Sequence, residues 1–321
     1  MLPTRNDMAE ISWRLYEGNP IIHPPALSPI VADPTVLVPE SSPDGRWHLF
    51  AHAVHGIYHF SSGDGIRWEK PRRVFRHAMR PFIFHEAGTY YLFYERYRKF
   101  HIYLSMLPMK WSSRIEVRTS RDLRDWSEPV MALAPSLPWH RDARYGESVS
   151  NPCLVRRGDE YILYYSASLV RVEDCGFNEP LYIGRARAKS AAGPYEPDPE
   201  PMLSPDPADP WRNLGCGSIK VYPCSDGFVA YQNGIYLDEQ RSRSGSAISL
   251  LSSDDGVRWR GALSGPVLRP GEGWMRSHIY ACDLARREKS RELYLYFNAR
   301  DDWHWSRGRE HIGLLIGRFG R

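Results

Sequence analysis

Long apolar runs, paired cysteines and a strong charge bias are all missing from this 321-residue chain. No stretch of 18 consecutive apolar residues occurs, so no transmembrane helix is expected. The opening Met1-Leu2-Pro3-Thr4-Arg5-Asn6-Asp7-Met8 lacks the apolar core of a secretory signal. Cysteine is scarce. Cys153, Cys175, Cys216, Cys224 and Cys282 are an odd number, and no two stand in a C-x-x-C pair. That pattern argues against a disulfide scaffold and predicts free thiols in a reducing cytoplasm. His52, His55 and His59 crowd together, but no ligand set with zinc spacing accompanies them. The net charge of +4 is mild, so neither a nucleic acid nor a membrane is the expected partner.

Aromatic side chains, in contrast, are plentiful. They make up 13% of the residues, with 19 Tyr and 11 Trp, and such a composition suits strands. A phrase also repeats. Ser61-Ser62-Gly63-Asp64-Gly65-Ile66-Arg67-Trp68 returns as Thr119-Ser120-Arg121-Asp122-Leu123-Arg124-Asp125-Trp126 and as Ser252-Ser253-Asp254-Asp255-Gly256-Val257-Arg258-Trp259. A worn copy ends at Tyr195. The terminal aromatics recur roughly every 60 residues, the mark of an array of like units. Ser or Thr before Asp-Gly is tight-turn chemistry. The Trp that follows is expected to pack between neighbouring units.

Each unit reads as short apolar or alternating runs separated by turns. Examples are Pro34–Val38, Trp47–Ala51, Ile57–Phe60 and Arg73–Phe75 in the first unit. Five such units, near 30–78, 79–136, 148–204, 215–270 and 277–321, predict an all-β, five-bladed β-propeller in one domain. The fifth unit ends after three strands. Residues 17–24 resemble the fourth strand of the unit before it, and Trp13 precedes them as the motif Trp precedes that strand. The N-terminal strand is therefore expected to close the ring and remove two exposed edges.

In a propeller, the first strands line the axis. Their starts and the ends of the second strands surround one mouth. Here those positions are polar beside very apolar strands: Asp33, Arg80, Asn151, Ser218 and His278 at the starts, and His52, Glu95, Asn233, Arg300 and Asp301 among the ends. Burying such groups costs several kcal/mol unless each is paired, so a polar pocket is expected there. Trp303 and Trp305 stand in a long loop at the same mouth. Insertions from Lys99 to Ser113, with Met106, Met109 and Trp111, and from Asp238 to Arg243 are placed to shape a binding site.

The five units, the Ala32-Asp33-Pro34 start and the Ser/Asp/Gly/Trp turn together resemble the five-bladed-propeller glycoside hydrolases. These include family 43, with its arabinofuranosidases and xylosidases, and families 32, 68, 117 and 130. The resemblance covers nearly the whole chain. It implies a carbohydrate substrate, a furanose or small pyranose glycan, whose terminal glycosidic bond is cleaved by carboxylates in an axial pocket. Family 43 uses the Asp of its first blade as general base, and Asp33 matches that position. The place of its pKa-tuning Asp holds Asn151. The stretch of its acid Glu reads Gly215-Cys216-Gly217-Ser218. A His at the start of its last blade is matched by His278. The acid is therefore open between Glu95, which ends a second strand, and Glu147, just before blade three.

Each of these residues also has a structural reading. Glu95 reads as a partner of Arg96 or Arg80, and Glu147 as a loop acid beside Arg144. Arg80 reads as the neutraliser of Glu95 or as an anion site. With Arg300, His278 and Lys220 it would serve phosphate in a family 130-like glycoside phosphorylase. The departures at Asn151 and Cys216 also leave room for a glycan-binding propeller without catalysis. Candidate substrate-binding residues are Arg80, Asn151, Ser218, His278, Asn233, Arg300, Asp301 and Trp303. No cofactor is required, and an axial calcium ion is compatible with the fold.

Overall fold

The computed structural model describes residues 2–98, 110–238, 240, 242–286 and 292–320. Met106 and Met109 of the blade-two insertion, and residues 239 and 241 of the blade-four insertion, lie outside the described residues. Blade one consists of Ala32–Leu37, Trp47–Ala53, Gly56–Ser62 and Arg72–Phe75. Blade two consists of Ala78–Glu86, Thr89–Tyr97, Trp111–Ser120 and Val130–Leu133. Blade three has Val149–Arg157, Glu160–Val172, Phe177–Ala188 and Glu196–Pro197. Blade four has Ile219–Cys224, Gly227–Asp238, Arg243–Ser253 and Arg260–Gly261. Blade five has His278–Arg286, Glu292–Arg300 and Glu310–Arg318. The strands pair antiparallel in sequence order within each blade. The five inner strands touch their neighbours in cyclic order, the first meeting the last. The sheets thus form a closed propeller.

Closure comes from the N-terminus, a few residues earlier than the sequence suggests. Ser12–Leu15 pairs with Leu315–Arg318 as the outer strand of blade five. Within 17–24 only Ile22 bridges, to Ile312. The reason is local: the amide of Asn19 folds back on the Tyr16 carbonyl, and Pro20, Pro24 and Pro25 have no N–H to donate. The likeness of this segment to blade four is nevertheless reproduced bond for bond. The amides of Ile21 and Ile22 donate to Ile312 as those of Val267 and Leu268 donate to Ile248.

The repeated phrase builds the seams. Ser253 Oγ accepts from Gly256 N at 2.9 Å, and Asp255 Oδ1 accepts from Val257 N and Arg258 N, each at 2.9 Å. Ser62 with Asp64, and Ser120 with Asp122, repeat the arrangement. The amides of Arg258 and Val257 hold the Asp255 carboxyl well below the usual range. The turn delivers its terminal aromatic onto the preceding blade. Trp68 meets Tyr296 of blade five at 5.9 Å between ring centroids, and Trp126 meets Phe75 of blade one at 5.6 Å. Tyr195 meets Phe93 of blade two at 6.3 Å, and Trp259 meets Tyr164 of blade three at 6.3 Å. Trp13 completes the set on Tyr231 of blade four at 6.3 Å.

At two seams a phenol adds a hydrogen bond to the turn. Tyr296 Oη donates to the Gly65 carbonyl at 2.7 Å, and Tyr164 Oη to that of Gly256 at 2.9 Å. Y296F and Y164F are each expected to lower the unfolding free energy by about 1 kcal/mol, a typical net value for one hydrogen bond. The two losses should add, because the seams are separate. Urea midpoints of the single and double variants check this.

Candidate active site

Four inner strands begin with the same backbone device. Asp33, Arg80, Asn151 and Gly217 have φ of 52, 53, 47 and 54°. The pairing of Asp33-Pro34, Arg80-Pro81 and Asn151-Pro152 slips at that point, as it does at Tyr280-Ala281 in blade five. A bulge re-aims a side chain, and non-glycine residues in the left-handed region persist only where surroundings enforce them. Gly217 is the variant without a side chain, and a Cβ there would lie 2.2 Å from Asn233 Oδ1. The five positions surround a cavity of about 490 Å³ at the axis.

Asp33 sits on the blade-one wall of this cavity. Its amide donates to Asn298 Oδ1 at 3.1 Å, and its Oδ2 lies 3.1 Å from His52 Nδ1. Burial alone would raise its pKa. The His52 hydrogen bond, with the charges of His52, Arg80 and Lys220, outweighs that and holds Asp33 below its ordinary value. Arg80 faces it from blade two. Its guanidinium is anchored from behind by Glu95, with Nη1 2.7 Å from Oε2. Glu95 is fully buried and also accepts from Trp111 Nε1 at 3.0 Å.

Opposite, the outer hairpin of blade three carries Glu179. The second and third strands of this blade, Glu160–Val172 and Phe177–Ala188, run on beyond the inner strand, with Val170 paired to Glu179. This extra length brings Phe177, Asn178, Glu179 and Pro180 to the cavity wall. Burial pushes Glu179 up to about 8; Arg80 pulls it down, while Glu310 and Asp33 raise it further. Tyr280 and Glu310 line the same side. Asn233 Nδ2 and Ser246 Oγ each donate to the Ile279 carbonyl at 2.7 Å and so fix the backbone that presents Tyr280.

Arg300 holds the roof. Its Nη1 lies 2.9 Å from Glu310 Oε1. Its remaining nitrogens donate to the carbonyls of Asp302, His304 and Trp305 at 2.9, 3.1 and 2.8 Å. The loop it gathers reaches from blade five across blade four. Trp303 Nε1 donates to the Ser244 carbonyl at 2.8 Å, and the Trp305 amide to the Cys175 carbonyl at 3.0 Å. Trp305 thereby joins Phe177 in the cavity lining.

Of the residues expected from sequence, Asp33, Arg80, Asn151, Ser218, Asn233 and Arg300 meet at the cavity. Glu95 stands behind the wall as the partner of Arg80. Glu147 lies outside, its side chain 38% exposed and paired with Arg141, not Arg144, at 3.1 Å. His278 is displaced by two residues because the bulge of its strand falls at Tyr280. It is buried against Cys175 Sγ at 3.5 Å and Ser244 Oγ at 3.3 Å, and burial pushes its imidazole down to about 3. Asp301 accepts from the Arg309 amide at 2.7 Å, and Trp303 stacks under Arg243 with 4.7 Å to the ring centroid; neither lines the cavity. Glu179, Tyr280 and Glu310 are the cavity groups that the first-strand frame missed. The signal for Glu179 was the polar Asn178-Glu179-Pro180 ahead of the apolar Leu181-Tyr182-Ile183 run. Among the described residues, no group of three or more His, Cys, Asp or Glu is arranged to hold a metal ion.

No protein-family model and no curated protein matches the sequence. Solved structures do match. The fold is that of the β-propeller glycoside hydrolases. An α-L-arabinofuranosidase from Lactobacillus brevis superposes with a TM-score of 0.66 at 13% identity, covering 94% of this chain and 95% of that one. A glycosyl hydrolase from Bacteroides ovatus gives 0.66 at 15% identity, with 98% and 96% covered. An N-acetylgalactosamine deacetylase from F. plautii gives 0.64 at 14% identity, with 95% and 93% covered. At such identities the likeness is one of fold, and the propeller accommodates more than one reaction.

The two acids first suggested by sequence differ in their packing, and stability will separate them. E95Q leaves the half-buried Arg80 guanidinium without its counter-charge at a fully buried position and is expected to cost about 3 kcal/mol. E147Q changes an exposed loop pair and should stay within about 0.5 kcal/mol of the parent chain. Denaturant unfolding of the two variants measures both.

Proposed function

We propose that this chain is a glycoside hydrolase that cleaves a terminal glycosidic bond, with Asp33 as general base and Glu179 as general acid. The observation that carries the proposal is the opposite tuning of two carboxyls in one cavity. Asp33 is held ionised, and Glu179 is held protonated at neutral pH. Pairs of titratable groups pushed apart in this way mark acid and base assignments. In the reaction, Glu179 gives its proton to the leaving oxygen as the bond from that oxygen to the anomeric carbon breaks. Asp33 takes a proton from the water whose oxygen bonds to the same carbon.

The walls favour a neutral sugar of one or two rings. Phe177, Trp305 and Tyr280 offer aromatic surface to an apolar ring face. The cavity guanidiniums of Arg80 and Arg300 each already hold a carboxylate, which favours water over phosphate as acceptor. The strap of 301–309 closes the side over blade four and favours a chain end as substrate. The neighbours include arabinofuranosidases, so a furanose or small pyranose glycan is the class to screen first. All five cysteines are free and buried, in keeping with a reducing, cytoplasmic setting.

Turnover should need Glu179 protonated and Asp33 ionised. Activity is therefore expected to be lost as pH rises through about 8, and on the acid side only below the ordinary carboxylate range. D33N should lower kcat by roughly 10²–10⁴-fold while the chain stays folded. E179Q should remove the alkaline limb and spare aryl glycosides whose leaving group needs no proton. Unchanged turnover in D33N overturns the assignment; a strict requirement for inorganic phosphate overturns the choice of acceptor. Proton NMR of the first-formed sugar reads the anomeric outcome, with inversion expected for a base role of Asp33.

A further inference from the structure

The amide of Asp33 lies in the break of the blade-one ladder, between the paired residues Ala32 and Thr35. A buried N–H in such a break needs an acceptor from elsewhere. The Gly217 amide of blade four meets this need on blade three, at the Pro180 carbonyl, 3.2 Å away. Blade five serves Asp33 in the same way. Asn298, at the end of its second strand, accepts from the Asp33 amide through Oδ1 at 3.1 Å. The scheme above assigns Asn298 no part.

The other end of the Asn298 amide is equally committed. Its Nδ2 donates to Glu310 Oε2 at 3.1 Å, while Glu310 Oε1 accepts from Arg300 Nη1 at 2.9 Å. A backbone N–H can only donate, and a carboxylate paired with arginine can only accept. The amide of Asn298 therefore fits in one orientation. Strand geometry sets up the row. Asn298 and Arg300 are two residues apart and share a face, and Glu310 stands directly opposite Arg300 on the next strand. All three are buried. Arg300 then fans onto the strap carbonyls of Asp302, His304 and Trp305. An unbroken chain of hydrogen bonds, none longer than 3.1 Å, thus runs from the strap to the main chain of Asp33.

We propose that Asn298 is the positioning residue of Asp33, and that through Glu310 and Arg300 it makes alignment of the base depend on a seated strap. The proposal rests on the reading of Asp33 as base. Asp33 has a left-handed backbone, with φ of 52°, which a non-glycine residue keeps only under constraint. His52 grips its carboxylate from within blade one; Asn298 grips its main chain from blade five. Release of the second grip lets the backbone relax and turns the carboxylate away from the water it activates. Trp305 is the strap residue in the cavity lining. A sugar seated on it bears on the same chain that holds the base.

The test uses the full chain with N298L and R300K; where either fails to fold, N298S and R300Q stand in. N298L and N298S remove both hydrogen bonds of the amide. R300K keeps a charge beside Glu310 but has no planar fork to span the strap carbonyls. Nitrogen-15 NMR of aspartate-labelled protein, with the Asp33 amide assigned by its disappearance in D33N, reads the first contact directly. That proton should shift upfield in N298L and also in R300K, although Arg300 does not touch Asp33. On 4-nitrophenyl α-L-arabinofuranoside, whose leaving group needs no proton, kcat should fall by roughly 10–100-fold in each while KM changes less than about threefold. Because one chain carries both effects, the double variant should lose no more than the worse single one. The amide shifts decide even where the parent chain does not turn over this glycoside. A parent shift in N298L or N298S overturns the proposal, and a parent shift in R300K or R300Q overturns its link to the strap. If D33N leaves turnover intact while the amide shifts appear, the base reading fails and the tether stands.

Discussion

The contact of one aromatic ring with the blade before it is the interaction on which this structure depends. It occurs at all five seams, through Trp68, Trp126, Tyr195, Trp259 and Trp13. Trp68, Trp126 and Trp259 are delivered by a turn whose amides are satisfied by a serine and an aspartate, Tyr195 by a worn copy without the aspartate, and Trp13 by the N-terminal strand. Ring closure in turn forces five inner strands to converge. Their side chains cannot all be apolar there without filling the axis, and cannot be polar without partners. The cavity is the result, and each of its charges is held by a named neighbour: Asp33 by His52, Arg80 by Glu95, Arg300 by Glu310.

The candidate chemistry comes from departures from this regularity. Four blades turn their axial residue with a left-handed backbone, and each offers something different. Blade three adds length to its outer hairpin, and blade five adds a strap. Both additions arrive on the same side of the mouth and are pinned to one another through Trp305 and Cys175. Burial pushes the hairpin carboxyl, Glu179, up to about 8, whereas the axial Asp33, with His52 in contact, is held low.

Much of the architecture was legible in the sequence because strands and turns are local. Alternation marks a strand, Ser-x-Asp-Gly marks the turn, and the recurring Trp marks the unit. Asp33, Arg80 and Asn151 were legible for a related reason, since a proline follows each and flags the bulge. Tyr280 has no such flag, and so the frame landed two residues early on His278. Glu179 was hidden for another reason. The frame looked to inner strands, whereas the reach of a hairpin above a sheet depends on packing between blades three, four and five. Glu147 seemed close to the mouth in sequence, but the chain carries it outward to Arg141.

Gly217 limits what this site can be changed into. Its backbone is left-handed, and any Cβ would meet both the side chain and the carbonyl of Asn233. Asn233 in turn holds the strand that presents Tyr280. A carboxylate therefore cannot be placed at Gly217 by one substitution, since the second strand of the same blade fills the room it would need. At this one axial place blade four can offer the cavity only backbone, and the carboxyl that faces Asp33 reaches it from the blade-three hairpin instead.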